Sequence, residues 1–327
     1  MPQTFRTTAT PLDCQGLITH STPLLILGSC FADNIGARLR DSLFDICVNP
    51  FGTLYNPASI AACARRLADP ATGFTAADIV QRDGLWHSWG AHSSLSRTGT
   101  QQAFLSHLEA TRARAAAFAR TAAVAIITLG TTHIYTRPGY GTVANCHKFP
   151  ATEFQERDLG LDECVSHLTD TIAALRSLSP EIHIILTVSP VRYLSQGLAA
   201  NSLSKATLRL AADAAARQCP DVTYFPAFEI LNDDLRDYRF YAADMKHPSD
   251  TAVDYIADIF ASSFFNPDTR SLADTCAKFT RRLAHRTLSP DSPAAEAFAQ
   301  ATAAFAAQLT AAHPCLAPRI QALSEKL

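Results

Sequence analysis

Two short segments near opposite ends of the chain carry residue types suited to nucleophilic catalysis. The first, Gly28-Ser29-Cys30-Phe31-Ala32, follows an apolar run and places a serine between a predicted strand and a predicted helix. The backbone N–H of such a serine lies at a helix N-terminus, where negative charge is favoured. A serine nucleophile requires this geometry, because the developing oxyanion needs donors that are already in place. The simpler interpretation is a turn in which Ser29 only caps the helix.

The second segment is Asp244-Met245-Lys246-His247-Pro248-Ser249. An aspartate and a histidine three residues apart on a loop or helical turn can face the same site. The carboxylate then orients the imidazole and stabilises its cation, while the imidazole serves as general base near neutral pH. The alternative is a solvated loop with a helix cap at Ser249. Together with the serine turn, the Asp244–His247 pair favours a serine, histidine and aspartate site.

These side chains need a scaffold that brings distant parts of the chain together. Apolar runs that predict strands lie at residues 24–27, 44–48, 124–129, 182–188 and 222–225. Helical patterns lie between most of them, at residues 31–43, 57–68, 104–121, 162–178 and 202–219. This alternation predicts an α/β fold with a parallel sheet covered on both faces, because parallel neighbours need crossover connections.

In a sheet of this kind, ligands gather at the carboxyl ends of the strands. The prediction therefore places Ser29, Gly52, residues 130–133 and Ser189-Pro190 along one rim. Residues 72–99 are predicted to form a loop-rich insertion or a short hairpin, and residues 136–154 are predicted to be irregular.

The composition changes after Phe265, where Pro267 breaks the chain and Ala-rich helices follow. We therefore divide the chain into an α/β domain, residues 1–266, and an Ala-rich helical extension, residues 267–327. The extension is expected either to pack on the domain or to pair with another subunit, which would make the protein a homo-oligomer.

The composition excludes some classes of partner. Hydrophobic residues make up 47% of the chain and charged residues 18%, which is enough to form a sizeable core. With 28 basic and 30 acidic residues the net charge is −2, so no nucleic acid partner is expected. No apolar run approaches the roughly 20 residues of a bilayer span, so no membrane partner is expected.

The compartment is predicted from the amino-terminal residues and the cysteines. Residues 1–11 contain no apolar stretch of the kind found in a signal peptide. Nine cysteines lie at wide, irregular spacing without a C-x-x-C pair, which favours reduced thiols. We therefore expect a cytoplasmic protein.

Several segments together resemble the GSCFA family, which is itself similar to the wider SGNH (GDSL-like) hydrolases. The segments are Gly28-Ser29-Cys30-Phe31-Ala32, Asn49-Pro50-Phe51-Gly52-Thr53, Asn145-Cys146-His147-Lys148, Asp237-Tyr238-Arg239-Phe240-Tyr241 and residues 244–249. The resemblance runs from about Thr4 to Asn266, and the first motif matches the family name letter for letter. It implies a three-layer α/β/α flavodoxin-like sandwich with a five-stranded parallel sheet, and an ester-hydrolase site.

The resemblance also implies roles for individual residues. Ser29 would be the nucleophile, His247 the general base and Asp244 the residue that orients His247. The backbone N–H groups of Ser29 and Gly52 would serve as oxyanion donors. The Gly-x-Asn-Asp block of SGNH hydrolases aligns with Gly130-Thr131-Thr132-His133, so Thr132 stands where those enzymes have asparagine.

That replacement matters because loss of an oxyanion donor typically lowers the rate about 100- to 1000-fold. Thr132 offers a shorter, freely rotating hydroxyl, and Asn145 is the alternative donor. We also expect Asn145 and His147 to bind substrate in the cleft. Cys30 and Cys146 are expected to be inert packing residues, although either would be a thiol nucleophile if paired with a histidine.

Other residues with chemical potential leave alternatives open. One set of residues could in principle bind a metal: Cys30, His133, His147, Asp244 and His247. Their spacing fits no compact zinc pattern, so neither a metal nor any other cofactor is expected. An aromatic group forms either a lid over a site or a hydrophobic plug; its members are Trp86, His87, Trp89 and His92. Basic and aromatic residues near the presumed rim are either functional or solvated; they are Arg192, Tyr193, Arg236 and Arg239.

The predicted function is that of an SGNH-type serine esterase. It would remove an acyl group such as acetyl from a carbohydrate or small-molecule ester through an acyl-enzyme on Ser29. One alternative is an acyltransferase that uses the same site. The others are a non-catalytic protein that binds a glycan or metabolite, and a scaffold that acts through its Ala-rich helices.

Overall fold

The computed structural model describes residues 6–285 and 292–324. The strands are β1 Leu24–Gly28, β2 Ile46–Val48, β3 Ile79–Arg82, β4 Leu85–Ser88, β5 Val124–Leu129, β6 His133–Arg137, β7 Gly141–Val143, β8 Gln155–Asp158, β9 His183–Val188 and β10 Val222–Tyr224. The helices are α1 Cys30–Asp41, α2 Pro57–Ala68, α3 Gln101–Ala119, α4 Leu161–Leu178, α5 Gly197–Gln218, α6 Ala227–Glu229, α7 Asp250–Phe264, α8 Pro267–Leu283, α9 Pro293–Ala312 and α10 Ala317–Ser324. In this described part of the chain, no helix combines the length and apolarity needed to cross a membrane.

Five strands form the central sheet in the order β10-β9-β5-β1-β2, and all four neighbouring pairs are parallel. The predicted five-stranded parallel sheet is therefore confirmed. Counted along the chain, the sheet order is second, first, third, fourth, fifth, which is the flavodoxin-like order. The order reverses between β1 and β5, and in open sheets the crevice at such a reversal is where ligands bind.

The sheet is the middle of three layers. Leu25 and Leu27 of β1 pack into a core with residues of α2, α3, α4 and α5. Leu24 and Ile26 point to the other face, into a core with residues of α1 and α7. Because both faces of a central parallel strand are buried, the strand needs an uninterrupted apolar run rather than alternation. The predicted three-layer sandwich is confirmed.

Two small antiparallel sheets lie outside the central one. β3 and β4 form a hairpin within residues 72–99, where a loop-rich insertion or a short hairpin was predicted. β6 pairs with both β7 and β8 across the segment that was predicted to be irregular, so that prediction was wrong. These strands are three to five residues long, so neighbouring strands rather than a local apolar pattern stabilise them.

The carboxyl-terminal helices pack on the α/β layers of the same chain. A third core joins Leu43, which follows α1, to Cys276 and Phe279 of α8 and to the later residues Leu309 and Leu316. α8 begins after its cap residue Asn266. The boundary at residue 267 and the pairing of subunits through these helices stay predictions; residues 286–291 and 325–327 of the predicted extension, like residues 1–5 of the predicted domain, lie outside the described residues.

Candidate active site

Ser29 lies between β1 and α1, at the crevice where the strand order reverses. Its Oγ accepts a hydrogen bond from the Phe31 N–H at 3.3 Å, so the residue is the N-cap of α1. The same Oγ lies 3.1 Å from Oγ1 of Thr128 on β5. Ser29 is buried, with 1% of its surface exposed. Ser29 therefore does cap α1, as the simpler interpretation of the sequence proposed, and the cap holds the serine at the rim of the sheet.

Gly28 makes the turn before Ser29 possible. Its φ is +134°, and a Cβ at this position would lie 2.1 Å from the Thr128 carbonyl oxygen. Only a residue without a side chain fits such an approach. The Ser29 N–H also donates to Thr128, to its carbonyl oxygen at 3.1 Å and to its Oγ1 at 2.9 Å. Thr128 therefore holds β1 and β5 together at the serine.

The segment of residues 49–53 forms a bracket around the serine turn. Asn49 Oδ1 accepts from the Gly28 N–H at 2.8 Å, and Asn49 Nδ2 donates to Asp33 Oδ1 at 2.7 Å. Thr53 Oγ1 donates to the other Asp33 oxygen at 3.1 Å. Asn49 has a φ of +41°, a conformation that asparagine adopts more readily than most residues. The bracket fixes the first turn of α1 relative to Gly28.

The two N–H groups assigned as oxyanion donors already have acceptors in the protein. The Ser29 N–H donates to Thr128, and the Gly52 N–H donates to the Asn49 carbonyl oxygen at 2.7 Å. Gly52 has a φ of +76°, and a Cβ there would lie 2.5 Å from His92 Cβ, so close packing also requires this glycine. In this conformation neither N–H is free for a substrate. Their role as donors stays a prediction, and it requires both groups to change partner.

Gly130 lies directly against the nucleophile candidate. A Cβ on Gly130 would be 3.4 Å from Ser29 Cβ and 2.8 Å from the Tyr55 carbonyl oxygen. That carbonyl accepts from the N–H groups of Gly130 and Thr131, at 2.8 and 2.9 Å. Gly130 therefore packs between the backbone of Tyr55 and the side chain of Ser29, with no room for a larger residue.

Thr132 is engaged away from the serine. Its hydroxyl donates to Asp158 Oδ1 at 3.1 Å, and its N–H donates to Ser204 Oγ on α5 at 2.8 Å. The side chain that was expected at the position of the SGNH asparagine thus links β8 to the segment after β5. Its assignment as an oxyanion donor stays a prediction, and the structure shows a different partner for that hydroxyl.

A buried lysine next to Ser204 was missed by the sequence analysis. Lys205 is 2% exposed, and its Nζ donates to the carbonyl oxygens of Gly130 and Ser189, at 2.6 and 2.7 Å. These carbonyls follow β5 and β9, so one ammonium group joins two strand ends beside Ser29. Burial lowers the pKa of Lys205 to about 7. Helical spacing could have indicated the burial of Lys205, since it shares the buried face of α5 with Leu208 and Ala212.

The predicted aspartate and histidine pair is formed. His247 Nδ1 lies 2.6 Å from Asp244 Oδ2, and Asp244 Oδ1 accepts from the N–H groups of His247 and Lys246 at 3.0 and 2.9 Å. Hydrogen bonds from the His247 backbone, the His247 ring and the Lys246 backbone hold the pKa of Asp244 well below its usual range. Because the carboxylate can only accept, we assign the proton to Nδ1, and Nε2 is left as the basic nitrogen.

The loop that carries this pair is anchored at the end of β9. The Arg192 N–H donates to the Lys246 carbonyl oxygen at 3.0 Å, and the Ala242 N–H donates to the His247 carbonyl oxygen at 2.8 Å. Carboxyl ends of parallel strands share one edge, so the pair lies on the same rim as Ser29. In the described residues no hydrogen bond joins Ser29 Oγ to His247. Catalytic hydrogen bonds often tighten only when substrate is bound.

A cavity of about 440 Å³ opens beside this rim. Its wall combines aromatic rings with polar and small apolar side chains; the members used below are Tyr55, Tyr135, Tyr193, His133, Glu156, Asn145 and His147. Thr131 and Tyr55 line it, and Gly130 packs between Tyr55 and Ser29, so the cavity lies close to Ser29. Such a mixture of rings and polar groups is typical of sites for small organic ligands.

Asn145 and His147 both line the cavity, but with their own hydrogen bonds. Asn145 Oδ1 accepts from the His147 N–H at 2.8 Å. His147 Nε2 lies 2.7 Å from the Ser88 carbonyl oxygen and donates to it, while Nδ1 is buried without a partner in the described residues. Burial lowers the pKa of His147 to about 4. The ring is therefore uncharged at neutral pH and offers no positive charge to a ligand.

His133 contributes more to the cavity than the sequence analysis assigned to it. Its side chain is 1% exposed, with Nε2 3.1 Å from Glu156 Oε2 and Nδ1 3.1 Å from Gln196 Nε2. The rings of Tyr135 and Tyr193 lie 4.9 and 5.9 Å from the imidazole, and their hydroxyls are 3.3 Å apart. This cluster forms a rigid polar wall. The pairing of β6 with β8 brings Glu156 to His133, and the segment after β9 supplies Tyr193 and Gln196.

The thiols near the rim are not poised as nucleophiles. All nine cysteines are free. Burial raises the pKa of Cys30, and it raises the pKa of Cys146 to about 11. Both are therefore thiols at neutral pH, as the packing interpretation requires. In residues 6–285 and 292–324, no three histidine, cysteine or acidic side chains are grouped so as to hold a metal ion.

The aromatic group that was predicted to form either a lid or a plug contains a buried tryptophan. Trp89 is 2% exposed and packs against the rings of His147, Phe149 and Phe154, with centroids 5.8, 5.1 and 6.1 Å away. It therefore supports the wall of the cavity from behind. For Trp89, the plug is the alternative that the structure favours.

Several solved structures are similar to the chain, including three esterases. They are an acetyl esterase mutant with an acetate ion, a carbohydrate esterase family 3 protein from Talaromyces cellulolyticus and a family 3 carbohydrate esterase from Clostridium thermocellum. Each is 10% identical; the matches cover 77%, 77% and 78% of this chain and 98% of each other chain, with TM-scores of 0.34, 0.33 and 0.32. At this distance the likeness carries no argument about activity. No curated protein matches the chain.

The sequence itself carries a more specific match. The GSCFA family model matches residues 23–260, which include the serine turn, the bracket at residues 49–53, the cavity wall and the aspartate and histidine loop. The match extends over most of the α/β layers and ends within α7. The chain belongs to the GSCFA family.

Proposed function

We propose that the protein is an SGNH-type serine esterase that removes an acyl group, such as acetyl, from a carbohydrate or small-molecule ester. The observation that carries the proposal is the 2.6 Å contact between Asp244 and His247 on a loop at the rim where Ser29 caps α1. An oriented imidazole and a serine at a helix N-terminus are the two groups that acyl transfer requires. We place the enzyme in the cytoplasm, where its nine free cysteines would stay reduced.

In the proposed mechanism, Ser29 Oγ attacks the ester carbonyl carbon while His247 Nε2 takes its proton. Asp244 stabilises the imidazolium that forms, and it stays charged because its pKa is held low. The imidazolium then protonates the leaving alcohol, which leaves an acyl-enzyme. Water, deprotonated by His247, hydrolyses that ester and restores Ser29. Attack requires the Ser29 hydroxyl to exchange Thr128 for His247 as its partner.

Two positive features beside Ser29 would stabilise the oxyanion. The N-terminus of α1 begins at Cys30, immediately after the serine, and favours negative charge. Lys205 adds an ammonium group, which donates to the carbonyl oxygen of Gly130, the residue that packs against Ser29. The nearby cavity supports a polar ligand that contains a ring, since tyrosine rings alternate there with His133, Asn145 and Glu156.

A second candidate function is a binding protein without catalysis. It is favoured by one observation, that Ser29 is 1% exposed with both its N–H and its Oγ bonded to Thr128. In that case the cavity would hold a glycan or metabolite, and Ser29 would serve only as a cap of α1.

Acetate release from 4-nitrophenyl acetate and from acetylated monosaccharides separates the two candidates. We expect turnover by the wild type, loss of turnover in Ser29→Ala with the fold retained, and unchanged turnover in the matched control Ser177→Ala on the exposed face of α4. Turnover that persists in Ser29→Ala would exclude Ser29 as nucleophile. A folded wild type that binds monosaccharides but releases no acetate would establish the binding protein instead.

A further inference from the structure

Another cavity, smaller than the first, lies next to the loop that carries His247. Its volume is about 170 Å³, the space of five or six water molecules in the liquid. Two arginines, Arg192 and Arg236, line it together with Tyr238 and Tyr241. Arg192 follows β9, and Arg236 follows the single turn of π-helix at Ile230–Leu235, a feature often found at functional sites.

Neither arginine is neutralised by a carboxylate. Among residues 6–285 and 292–324, no aspartate or glutamate oxygen lies within ion-pair distance of Arg192 or Arg236. Arg192 instead stacks on two rings, with its guanidinium carbon 4.0 Å from the Tyr241 centroid and 5.2 Å from that of Tyr238. Burial raises the pKa of the Tyr241 hydroxyl, and Arg192 opposes that shift. The two rings thus hold one guanidinium in place beside a second one.

One carboxylate also lines the cavity, but it is engaged by a third arginine. Asp237 Oδ1 accepts from the Arg239 N–H at 3.0 Å, and Asp237 Oδ2 lies 3.7 Å from Arg239 Nε. Arg239 itself is not part of the cavity lining. The cavity therefore contains two guanidinium groups and one carboxylate that is already paired, which leaves an excess of positive charge.

The cavity lies against the loop that carries Asp244 and His247. The Arg192 N–H donates to the Lys246 carbonyl oxygen at 3.0 Å, and Tyr241 forms a β-bridge with Pro248. Both wall residues thus hold the segment that contains His247. Tyr193, the next residue after Arg192, lines the larger cavity. A ligand group in the small cavity would therefore lie beside the proposed active site.

We propose that the Arg192–Arg236 cavity binds an oxyanion group, a carboxylate or a phosphate, that the ester substrate carries in addition to its acyl group. Guanidinium groups are planar forks of N–H donors that match both anions geometrically, and a cavity of this size holds one such group. The inference rests on the proposed esterase function for the source of the anion. The anion site itself does not depend on hydrolysis.

Binding of inorganic phosphate by Ser29→Ala protein, measured by calorimetry at fixed ionic strength, tests the site without catalysis. We expect Arg192→Gln and Arg236→Gln, each made in that background, to weaken binding about 10- to 100-fold. The matched control Arg120→Gln should bind as tightly as its parent, because Arg120 is exposed and lies outside the cavity. Arg236 is exposed, so its variant keeps the test valid even if Arg192→Gln fails to fold. Absence of phosphate binding, or equal binding in all four proteins, would overturn the proposal.

Steady-state kinetics with phenyl acetate and with 4-acetoxybenzoate, which adds a carboxylate, test whether the anion belongs to the substrate. We expect a lower KM for the carboxylated ester in the wild type, and loss of that preference in Arg192→Gln and Arg236→Gln but not in Arg120→Gln. Phosphate binding without any preference between the esters would overturn the assignment to substrate and indicate a site for a free anion. If neither ester is hydrolysed, the proposed function fails, while the phosphate measurement still decides the anion site.

Discussion

The Nζ of Lys205 donates to the carbonyl oxygen of Gly130 at 2.6 Å, and Gly130 packs against the side chain of Ser29. A second bond to the Ser189 carbonyl, at 2.7 Å, places the same group at the end of β9. The ammonium is buried, and both of its hydrogen-bond partners are neutral carbonyls. A charge of this kind is costly to bury, so its position beside the proposed nucleophile suggests a use in stabilising negative charge there.

The first prediction concerns the effect of Lys205 on stability. Its pKa is about 7 in the folded chain, against an ordinary lysine value of 10.5, so between these values the unfolded chain binds more protons. Wild-type stability should therefore rise with pH over this range relative to Lys205→Met, by up to about 1.4 kcal/mol for each pH unit. Urea unfolding of both proteins between pH 7 and pH 10 measures the difference, with exposed Lys278→Met as control. A difference that does not change with pH would contradict the lowered pKa of Lys205.

The second prediction concerns the orientation of His247. Asp244→Asn replaces an acceptor with a group that can donate to Nδ1, which favours the wrong tautomer. We expect kcat for an acetyl ester to fall about 1000- to 10,000-fold with little change in the unfolding midpoint. Asp250→Asn, at an exposed position on the next helix, should leave kcat unchanged. Wild-type kcat in Asp244→Asn would exclude the pair from catalysis.

The third prediction concerns the bracket at Asn49. Asn49→Ala leaves the buried Gly28 N–H without an acceptor, which should lower the free energy of unfolding by about 1–3 kcal/mol and reduce activity as α1 shifts. Asn49→Asp keeps that acceptor but sets a carboxylate against Asp33, so it should be destabilised at neutral pH. Its deficit relative to wild type should shrink as the pH approaches about 4, where carboxylates become protonated. A constant deficit would show that charge repulsion is not the cause.

The fourth prediction concerns acid stability. Burial lowers the pKa of both His20 and His147 to about 4, from 6.5. Between pH 6.5 and pH 4 these two histidines are protonated in the unfolded chain but not in the folded one, so the free energy of unfolding should fall as the pH falls. His20→Phe keeps the stacking on Phe44 and removes one of the two groups, so its stability should depend less steeply on pH in this range. Equal slopes for variant and wild type would contradict the assignment of His20.

The central sheet was predictable because each of its strands is a short apolar run of its own. β5 was predicted at its observed bounds, and β9 within one residue. α5 begins at Gly197, five residues before the predicted start. The prediction missed this first turn because Gly197 and the two alanines after Leu198 show no apolar period. β8 pairs with β6 across the intervening residues 138–154, which no local pattern indicates, and the strands of the β6–β7 hairpin are too short to show an apolar period.

The candidate site divides in the same way. The contact between Asp244 and His247 is local, and spacing alone predicted it. The partners of Thr132 and of the Ser29 N–H depend on side chains 26 and 99 residues away, so the sequence did not indicate that these groups are already engaged. Lys205 was missed for a related reason. Its burial follows from which face of α5 packs on the sheet, and lysine is seldom placed there.

Labelling with a fluorophosphonate, followed by intact-mass measurement of wild type and Ser29→Ala, tests the central claim most directly. The reagent phosphonylates a serine only where a neighbouring base activates the hydroxyl. We predict a single adduct on the wild type, its absence in Ser29→Ala, and its loss in Asp244→Asn as well. A folded wild type that forms no adduct, or an adduct that persists in Ser29→Ala, would contradict the assignment of Ser29 as the activated nucleophile.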